Sequence, residues 1–278
     1  MGNCKYCGKP AGFLKSVHKE CERRHSGGIN QISIKIACCL GNDSDLTVLG
    51  NELKDIARQS YIDDDEYENA LIKGWEQAVE KAFDDNILTK EEEKRLVELK
   101  EHFSLTQDQL DINHAYSKVA KGAILRDILE GKIPDRLRID ITLPFNFQKK
   151  ESIVWVFQNV PYYEKKTKRR YEGGYAGVSM RVANGLYFRT GGFKGHPVDY
   201  NETVHIDTGI VAVTTKHIYF SGEYKTFRIR FDKIIAFTPY SDGIEVQKDG
   251  TTAKPQIFVT GDGWFSYNLL TNLANMEK

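Results

Sequence analysis

The chain contains 278 residues, 40% of them hydrophobic, and its 39 basic residues balance its 39 acidic residues. This size allows a substantial buried core and suggests two domains or one domain with appendages. The balanced charge excludes a global attraction to nucleic acid or to membranes, and the apolar stretches are far shorter than the ~20 residues of a membrane-spanning helix. The N-terminus lacks the basic region and apolar run of a secretory signal, so we expect a cytoplasmic protein that can associate with a membrane surface.

Four potential metal ligands lie close together at the start of the sequence: Cys4, Cys7, His18 and Cys21. Two cysteines separated by two residues and followed by Gly8 are typical of a knuckle that directs both thiolates at one ion. His18 and Cys21 are three residues apart, so they share one face of a helical turn. Three thiolates and one imidazole complete a tetrahedron, and the pattern therefore predicts a structural zinc site with no open position for catalysis.

Two questions stay open for this segment, residues 1–28. His25 lies on the same helical face as Cys21 and is an alternative ligand to His18. The second question concerns the six basic residues of the segment, which are Lys5, Lys9, Lys15, Lys19, Arg23 and Arg24. They could contact nucleic-acid phosphates, or they could offset the negative charge of metal-bound thiolates. A knuckle, a short hairpin at residues 10–12 and a helix together resemble a treble-clef or zinc-ribbon finger.

An acidic segment with helical periodicity follows at residues 29–134. At its start, residues 29–40, the isoleucines fit a strand and a helix equally well. From Asp43 onward the apolar residues recur at helical spacing, with Asp43 or Ser44 as the first cap. This part of the chain is therefore predicted to be an α-helical module.

Two capping boxes predict where the later helices of this module begin. Thr89 with Glu92 marks the start of a third helix. Thr106 with Gln109 marks the start of a long fourth helix, whose inner face is predicted to include Ile112. In each box the two side chains bond reciprocally to backbone N–H groups that the first helical turn leaves unpaired.

The sequence AFDDNILTKEEE at residues 82–93, followed by Leu96 and by FSLT at residues 103–106, resembles the acidic inter-helix segment of TerB-like helical domains of tellurite resistance. Members of that group are associated with metal-dependent stress responses and with membrane-linked complexes. The resemblance implies a role of this kind for the helical module.

From residue 138 the pattern changes to short strands separated by turns. The strand-like stretches are residues 139–143, 153–157, 178–182, 210–214, 218–220, 227–231, 244–246 and 257–259. The turn signals are Asn184-Gly185, Gly191-Gly192, Ser221-Gly222, Asp242-Gly243 and Asp249-Gly250. After Asp262, apolar residues at helical spacing predict a closing helix. We expect an antiparallel sandwich or barrel over residues 138–278, which makes the whole chain an α+β multidomain protein.

Three stretches of this β module, residues 209–222, 231–237 and 242–246, carry the order of strand motifs found in GRAM domains. With several meandering strands and one C-terminal helix, the module resembles the pleckstrin-homology and GRAM superfold. The resemblance implies binding of phosphoinositides or peptides through basic loops between the early strands.

The sharpest basic cluster of the sequence comprises Lys165, Lys166, Lys168, Arg169 and Arg170. The tyrosines that flank it are Tyr162, Tyr163 and Tyr171. Cations among aromatic rings suit anionic lipid headgroups and nucleic acid equally well. A solvated hairpin tip that protects a sheet edge explains the same composition. We therefore predict a loop here, with these five side chains as a candidate ligand-binding site.

The sequence has no Gly-x-Ser-x-Gly, no Gly-x4-Gly-Lys and no His-Glu-x-x-His, and so contains none of these signatures of catalysis or phosphate binding. His196, His205 and His217 lie near strands of the β module, with Asp199 and Asp207 as potential acidic partners. Such groups serve in hydrolysis, but scattered histidines are more typical of surface or packing positions.

These observations favour a non-enzymatic, zinc-containing adaptor that docks to anionic membrane headgroups or to a protein partner through its GRAM-like module. The combination of parts resembles small multidomain proteins of bacterial stress-response and phage-defence loci. The alternatives are a nucleic-acid-binding protein that uses the finger and the basic cluster at 165–170, and a hydrolase in the β module.

Overall fold

The structure is a computed structural model. It describes residues 2–13, 15–41, 44–137, 139, 142–183, 186–250 and 253–276, with the backbone alone between 167 and 201. The chain forms two compact units, Met1–Lys132 and Ile133–Lys278. The first unit is helical and the second is mainly β, which confirms the predicted α+β class. Within the described residues, no helix is long and apolar enough to cross a membrane.

The first unit is built from helices. They are α1 (Lys19–Cys38), α2 (Leu46–Gln59), α3 (Asp64–Ala82), α4 (Lys90–His102), α5 (Gln107–Leu110) and α6 (Ala115–Leu129), with a 3-10 turn at Cys39–Gly41. Residues 29–38 belong to α1, so the choice between strand and helix is decided for helix. Asp45 caps α2, because its carboxylate accepts a 2.8 Å hydrogen bond from the N–H of Thr47. The predicted cap Ser44 does not hold this position, and Asp43 lies outside the described residues.

Both predicted capping boxes, those begun by Thr89 and Thr106, are present. The long fourth helix predicted after Thr106 is wrong, because α5 ends after one turn. His114 adopts a left-handed conformation with φ 61°, which interrupts the helical hydrogen bonds before α6 begins at Ala115. Ile112, predicted to face inward, is 72% exposed as a result.

Helix α3 is the central helix of this unit. It approaches α1 most closely at Gly74, where an added Cβ would lie 2.7 Å from the Cβ of Ile36 and 2.8 Å from the carbonyl oxygen of Ser33. On the other side, the buried Trp75 donates its indole N–H to the carbonyl oxygen of Leu96 in α4 at 2.9 Å. The core of the unit therefore lies around α3.

The boundary expected at residue 28 falls inside α1, which runs from Lys19 to Cys38 without interruption. Gly28 packs against the end of α2, and an added Cβ there would lie 2.3 Å from the hydroxyl of Ser60. Glycine at this position allows the two helices to approach each other rather than marking a linker. The expected finger and helical module thus belong to one compact unit.

The second unit is a seven-stranded antiparallel sheet, curled into a half-barrel and closed by a C-terminal helix. Its elements are β1 (Ile153–Ala183), β2 (Leu186–Thr214), β3 (His217–Gly222), β4 (Thr226–Arg230), β5 (Ile234–Pro239), β6 (Ile244–Lys248), β7 (Gln256–Phe258) and α7 (Gly263–Met276), with a 3-10 turn at Phe231–Lys233. The strand order is β4-β3-β2-β1-β7-β6-β5. Because β1 pairs with both β2 and β7, it joins the two halves of the sheet.

The structure of the second unit corrects three expectations drawn from the sequence. Residues 165–170 belong to β1 and pair with residues 198–203 of β2, so the predicted basic loop is a strand. The backbone at Gly191 and Gly192 is also strand, where a turn was expected, and the expected turn at 184–185 lies outside the described residues. Residues 139, 142 and 143 are not strand, and 140 and 141 lie outside the described residues.

The interior of the half-barrel is aromatic. Tyr162 of β1, Phe220 of β3 and Phe258 of β7 are at most 1% exposed, and the ring of Tyr162 lies 5.0 Å from Phe220 and 5.3 Å from Phe258. Helix α7 contributes Phe265 and Leu269, both 0% exposed. Burial of these large side chains fixes α7 against the sheet.

Candidate metal centre and binding surfaces

A tight turn at the start of the chain places Cys4 and Cys7 side by side. The N–H of Gly8 donates to the carbonyl oxygen of Cys4 at 2.9 Å, and Gly8 has φ 70°, a conformation that glycine adopts without strain. The N–H of Cys4 in turn donates to the carbonyl oxygen of Lys9 at 2.8 Å. The predicted knuckle is therefore present.

His18 and Cys21 complete the cluster from the start of α1. His18 is the residue before the helix, and its Nδ1 lies 3.3 Å from the Sγ of Cys7 and 3.8 Å from the Sγ of Cys21. The ligand atoms of these residues and Cys4 all lie within 4.8 Å of one another, and the cysteines form no disulfide. The four predicted ligands thus come together and could hold a metal ion.

The second ring nitrogen of His18 fixes the orientation of the imidazole. Its Nε2 lies 3.0 Å from the carbonyl oxygen of Pro10, to which it donates when Nδ1 faces the cysteine sulfurs. Such a hydrogen bond selects the tautomer in which Nδ1 is free to bind a metal.

The pKa values of the thiols differ within the cluster. Burial acts to raise the pKa of Cys4, but hydrogen bonds from the backbone N–H groups of Cys7, His18 and Tyr6 outweigh it and lower this pKa to about 6. Burial, together with hydrogen bonds shared with Cys7 and Cys4, raises the pKa of Cys21 to about 11. A bound cation favours the thiolate form of each cysteine that binds it.

His25, the alternative ligand, lies outside the cluster and contacts other groups. Its Nε2 is 2.8 Å from the Oε2 of Glu66 at the start of α3, and its ring stacks on Tyr6 with centroids 4.5 Å apart. His25 is only 8% exposed. No short-range pattern indicates this contact, because Glu66 is 41 positions away in the sequence.

The basic side chains of the finger are exposed to solvent, and two of them have contacts. Lys5 Nζ lies 4.5 Å from the ring centroid of Tyr6, and Arg23 pairs with Glu20 at 2.9 Å. The exposed set is Lys5, Lys9, Lys15, Lys19, Arg23 and Arg24.

The basic cluster at 165–170 is described only in part. Lys165 Nζ lies 2.7 Å from the Oε2 of Glu245, which also accepts a 2.7 Å hydrogen bond from the hydroxyl of Tyr240. Lys166 is half-buried, and the side chains of Lys168, Arg169 and Arg170 lie outside the described residues. One of the five candidate cations is therefore neutralised within the sheet.

Among the described side chains, His205 and His217 contact groups other than Asp207. His205 Nε2 lies 3.0 Å from the hydroxyl of Thr208. Asp207 accepts hydrogen bonds from the backbone N–H groups of Tyr224 and Lys225, both at 2.8 Å, and so holds the turn after β3. The side chains of His196 and Asp199 lie outside the described residues.

His217 instead belongs to a buried network that the sequence did not indicate. Its Nδ1 lies 3.1 Å from the Oε1 of Glu151, whose side chain is fully buried. The same carboxylate accepts hydrogen bonds from the hydroxyls of Thr214 at 2.6 Å and Tyr219 at 3.1 Å. Because His217 Nε2 is also buried, this constellation has no access to a substrate and serves to hold the chain before β1 on β3.

A groove of about 280 Å³ lies between β5 and α7. Its lining residues are Phe231, Asp232, Ile234, Ile235, Ala236, Phe237, Tyr267, Thr271, Ala274 and Asn275. The hydroxyl of Thr271 is buried and has no hydrogen-bond partner within the described part of the chain. Sequence analysis missed this groove, since neither element has a distinctive motif.

No family model, no curated protein and no solved structure matches the chain. The resemblances to a treble-clef finger, to TerB-like domains and to GRAM domains therefore stay predictions.

Proposed function

We propose that the protein is a non-enzymatic, zinc-containing adaptor that binds an extended segment of a protein partner along the open edge of β5, in the groove beside α7. The groove carries this proposal, because it combines a strand at the edge of the sheet with a cavity of mixed polar and apolar lining and a buried hydroxyl that has no partner within the described residues. The expected peptide binding by a GRAM-like or pleckstrin-homology-like module agrees with it.

Zinc is the metal that the Cys3His cluster fits best. A tetrahedral zinc with ordinary bond lengths separates two sulfurs by about 3.8 Å and a sulfur from a nitrogen by about 3.5 Å. The Nδ1 of His18 lies 3.3 Å and 3.8 Å from the sulfurs of Cys7 and Cys21. With Cys4 the four ligands leave no open position, so the ion would stabilise the fold and take no part in a reaction.

The backbone of β5 can accept an additional strand. In an antiparallel pair, residues alternate between positions that bond to the neighbour and positions whose N–H and C=O point away from it. The N–H of Tyr240 donates a 2.9 Å hydrogen bond to the carbonyl oxygen of Gly243, so Tyr240 is a position that bonds to the β6 side. Three residues earlier, the register places Phe237 at a position of the other kind, with its N–H and C=O directed away from β6. Pro239 takes the next such position, where its missing N–H breaks no bond of the sheet.

Helix α7 forms the other wall of the groove. Tyr267, Thr271 and Ala274 recur at helical spacing and line it opposite β5. A buried hydroxyl without a partner costs free energy that a bound polar group recovers. A strand added to β5 would place alternate side chains in the groove and bring its backbone within reach of Thr271.

Docking to anionic headgroups is less well supported. The proposal requires free cations at 165–170, but Lys165 is paired with Glu245. Nucleic-acid binding by the finger also stays a prediction, as does a role in bacterial stress response or phage defence.

The proposal is tested with peptides selected from a random display library against the full chain. We expect Phe237→Pro, which removes the outward N–H on β5, to weaken binding of the selected peptides at least tenfold, measured by fluorescence anisotropy. Arg228→Pro is the matched control, because the register of β3 with β4 directs the N–H of Arg228 away from β3 at the other edge of the sheet. This control should bind normally.

Three results would reject the docking site. In the first, both proline variants bind the selected peptides equally well. In the second, a bound peptide slows hydrogen exchange only at amides far from β5. In the third, no peptide is selected, and the chain binds anionic vesicles or single-stranded RNA instead.

A further inference from the structure

Metal ligation and bundle packing meet on one face of α1. Cys21, His25, Gly28, Ile32 and Ile36 follow one another at intervals of three or four residues, so they share one side of this helix. The first of them is a metal ligand, and the last two lie in the core of the first unit with at most 1% exposure. One continuous helix therefore carries both a candidate metal ligand, in its first turn, and core residues of the first unit.

The finger contacts the bundle through an aromatic stack. Tyr6 lies between Cys4 and Cys7 in the knuckle, and its ring stacks on His25 at 4.5 Å and on Tyr61 at 6.0 Å. Tyr61 precedes α3 and has a left-handed backbone with φ 58°. The knuckle is thus packed against the connection between α2 and α3.

His25 extends this contact to the start of α3. Its Nε2 lies 2.8 Å from the Oε2 of Glu66, and the same oxygen accepts a hydrogen bond from the N–H of Asp63 at 3.2 Å. The carboxylate of Asp63 accepts one from the N–H of Glu66 at 2.8 Å, which completes the capping box of α3. The histidine that faces the finger thus binds a side chain that starts α3.

We propose that Tyr6, His25 and Glu66 form a latch that makes the start of α3 depend on the metal. With the ion bound, the knuckle and the first turn of α1 are fixed, and His25 holds Glu66 in its capping position. Loss of the ion frees Tyr6 and the first turn of α1, and the capping box loses its support. A change in zinc supply is thereby transmitted to the helical unit; this inference rests on zinc occupancy of the proposed site.

The latch makes two predictions that are linked by thermodynamics. Zinc must slow hydrogen exchange at the start of α3, and weakening the latch must weaken zinc binding, because coupling between two sites is reciprocal. Couplings of this kind usually change an affinity by about 5-fold to 150-fold. We expect about a tenfold effect in each direction.

The experiment uses the full chain, first shown by metal analysis to bind one zinc ion. Hydrogen exchange is followed by mass spectrometry with zinc and after its removal by a chelator. We expect exchange in residues 61–67 to accelerate about tenfold without zinc, while α6 (Ala115–Leu129) remains protected. His25→Ala should bind zinc about tenfold more weakly in competition with a chromophoric chelator.

Glu68→Gln is the matched control for the affinity measurement. Glu68 lies on α3 near Glu66 but accepts a hydrogen bond from Gln109, and within the described residues its side chain makes no hydrogen bond or ion pair with residues 2–25. It should leave zinc affinity unchanged. The proposal is overturned if residues 61–67 keep their protection when zinc is removed, if α6 loses protection equally, or if His25→Ala binds zinc as tightly as the unaltered chain. A chain that binds no zinc would instead reject the metal site itself.

Discussion

The two units of the molecule place their distinctive residues in different ways. In the first unit, the four candidate metal ligands lie within 18 consecutive positions, from Cys4 to Cys21. In the second unit, the buried partners Glu151 and His217 are far apart in the sequence, and so are Lys165 and Glu245. A site whose residues are close together in the sequence can therefore be predicted from their spacing. A site whose residues are brought together by strand pairing can be identified only once the fold is known.

The largest effect is expected at the short-range site. Cys4→Ser removes one ligand of the cluster, and structural zinc contributes on the order of 10 kcal/mol to the folding of small finger domains. We expect this variant to lose bound zinc, as measured by metal analysis of the purified protein. Cys38→Ser is the control, because Cys38 lies outside the cluster. Equal zinc content in both variants would mean that the cluster is not the binding site.

A smaller but clear effect is expected at the long-range network of the second unit. Glu151→Ala leaves the hydroxyls of Thr214 and Tyr219 without this acceptor and removes the carboxylate that lies 3.1 Å from the ring of His217. A buried donor left without its acceptor costs about 1–3 kcal/mol. Urea unfolding should show the loss, while Glu223→Ala, at an exposed position, should change stability little. A variant of Glu151 as stable as the control would show that the network contributes nothing.

The parts of each unit that could be predicted are those whose interacting residues lie close together in the sequence. The clustering of Cys4, Cys7, His18 and Cys21 and the capping boxes of α4 and α5 were predicted correctly, because the residues involved are close together in the sequence. The break at His114 was missed, since a single left-handed residue leaves no mark on hydrophobic periodicity. The basic run at 165–170 was assigned to a loop on composition, but pairing with β2 makes it a strand.

The third prediction concerns pH. Burial acts to raise the pKa of Asp207, but the N–H groups of Tyr224, Lys225 and Thr208 outweigh it, so the pKa lies below its ordinary value of 3.8. A carboxylate of this kind stabilises the fold above the pKa of the unfolded chain, and this contribution is lost as pH falls through the folded pKa.

Asp207→Asn should therefore melt at a lower temperature than the unaltered protein at pH 7. The difference should shrink progressively below pH 4, as scanning calorimetry across pH would show. If the difference in melting temperature did not depend on pH, the loss of stability would not come from the negative charge of Asp207.

The smallest effect is expected for the exposed pair of Arg23 and Glu20 in α1, whose side chains are 79% and 63% exposed. Solvent screens such pairs, so Arg23→Ala should change the free energy of unfolding by about 0.5 kcal/mol or less. Differential scanning fluorimetry is sufficient to detect a larger change. A shift of several degrees in the melting temperature would show that this exposed ion pair contributes more to stability than its exposure indicates.

The unbroken course of α1 through Gly28 has a consequence for inheritance. A recombination event that joined a foreign helical segment at residue 29 would cut this helix about midway and separate Cys21 and His25 from the residues that pack against α3. We therefore expect that residues 1–28 are not exchanged among proteins separately from the helices that follow. Related chains are expected to gain or lose the cysteines together with the whole helical unit.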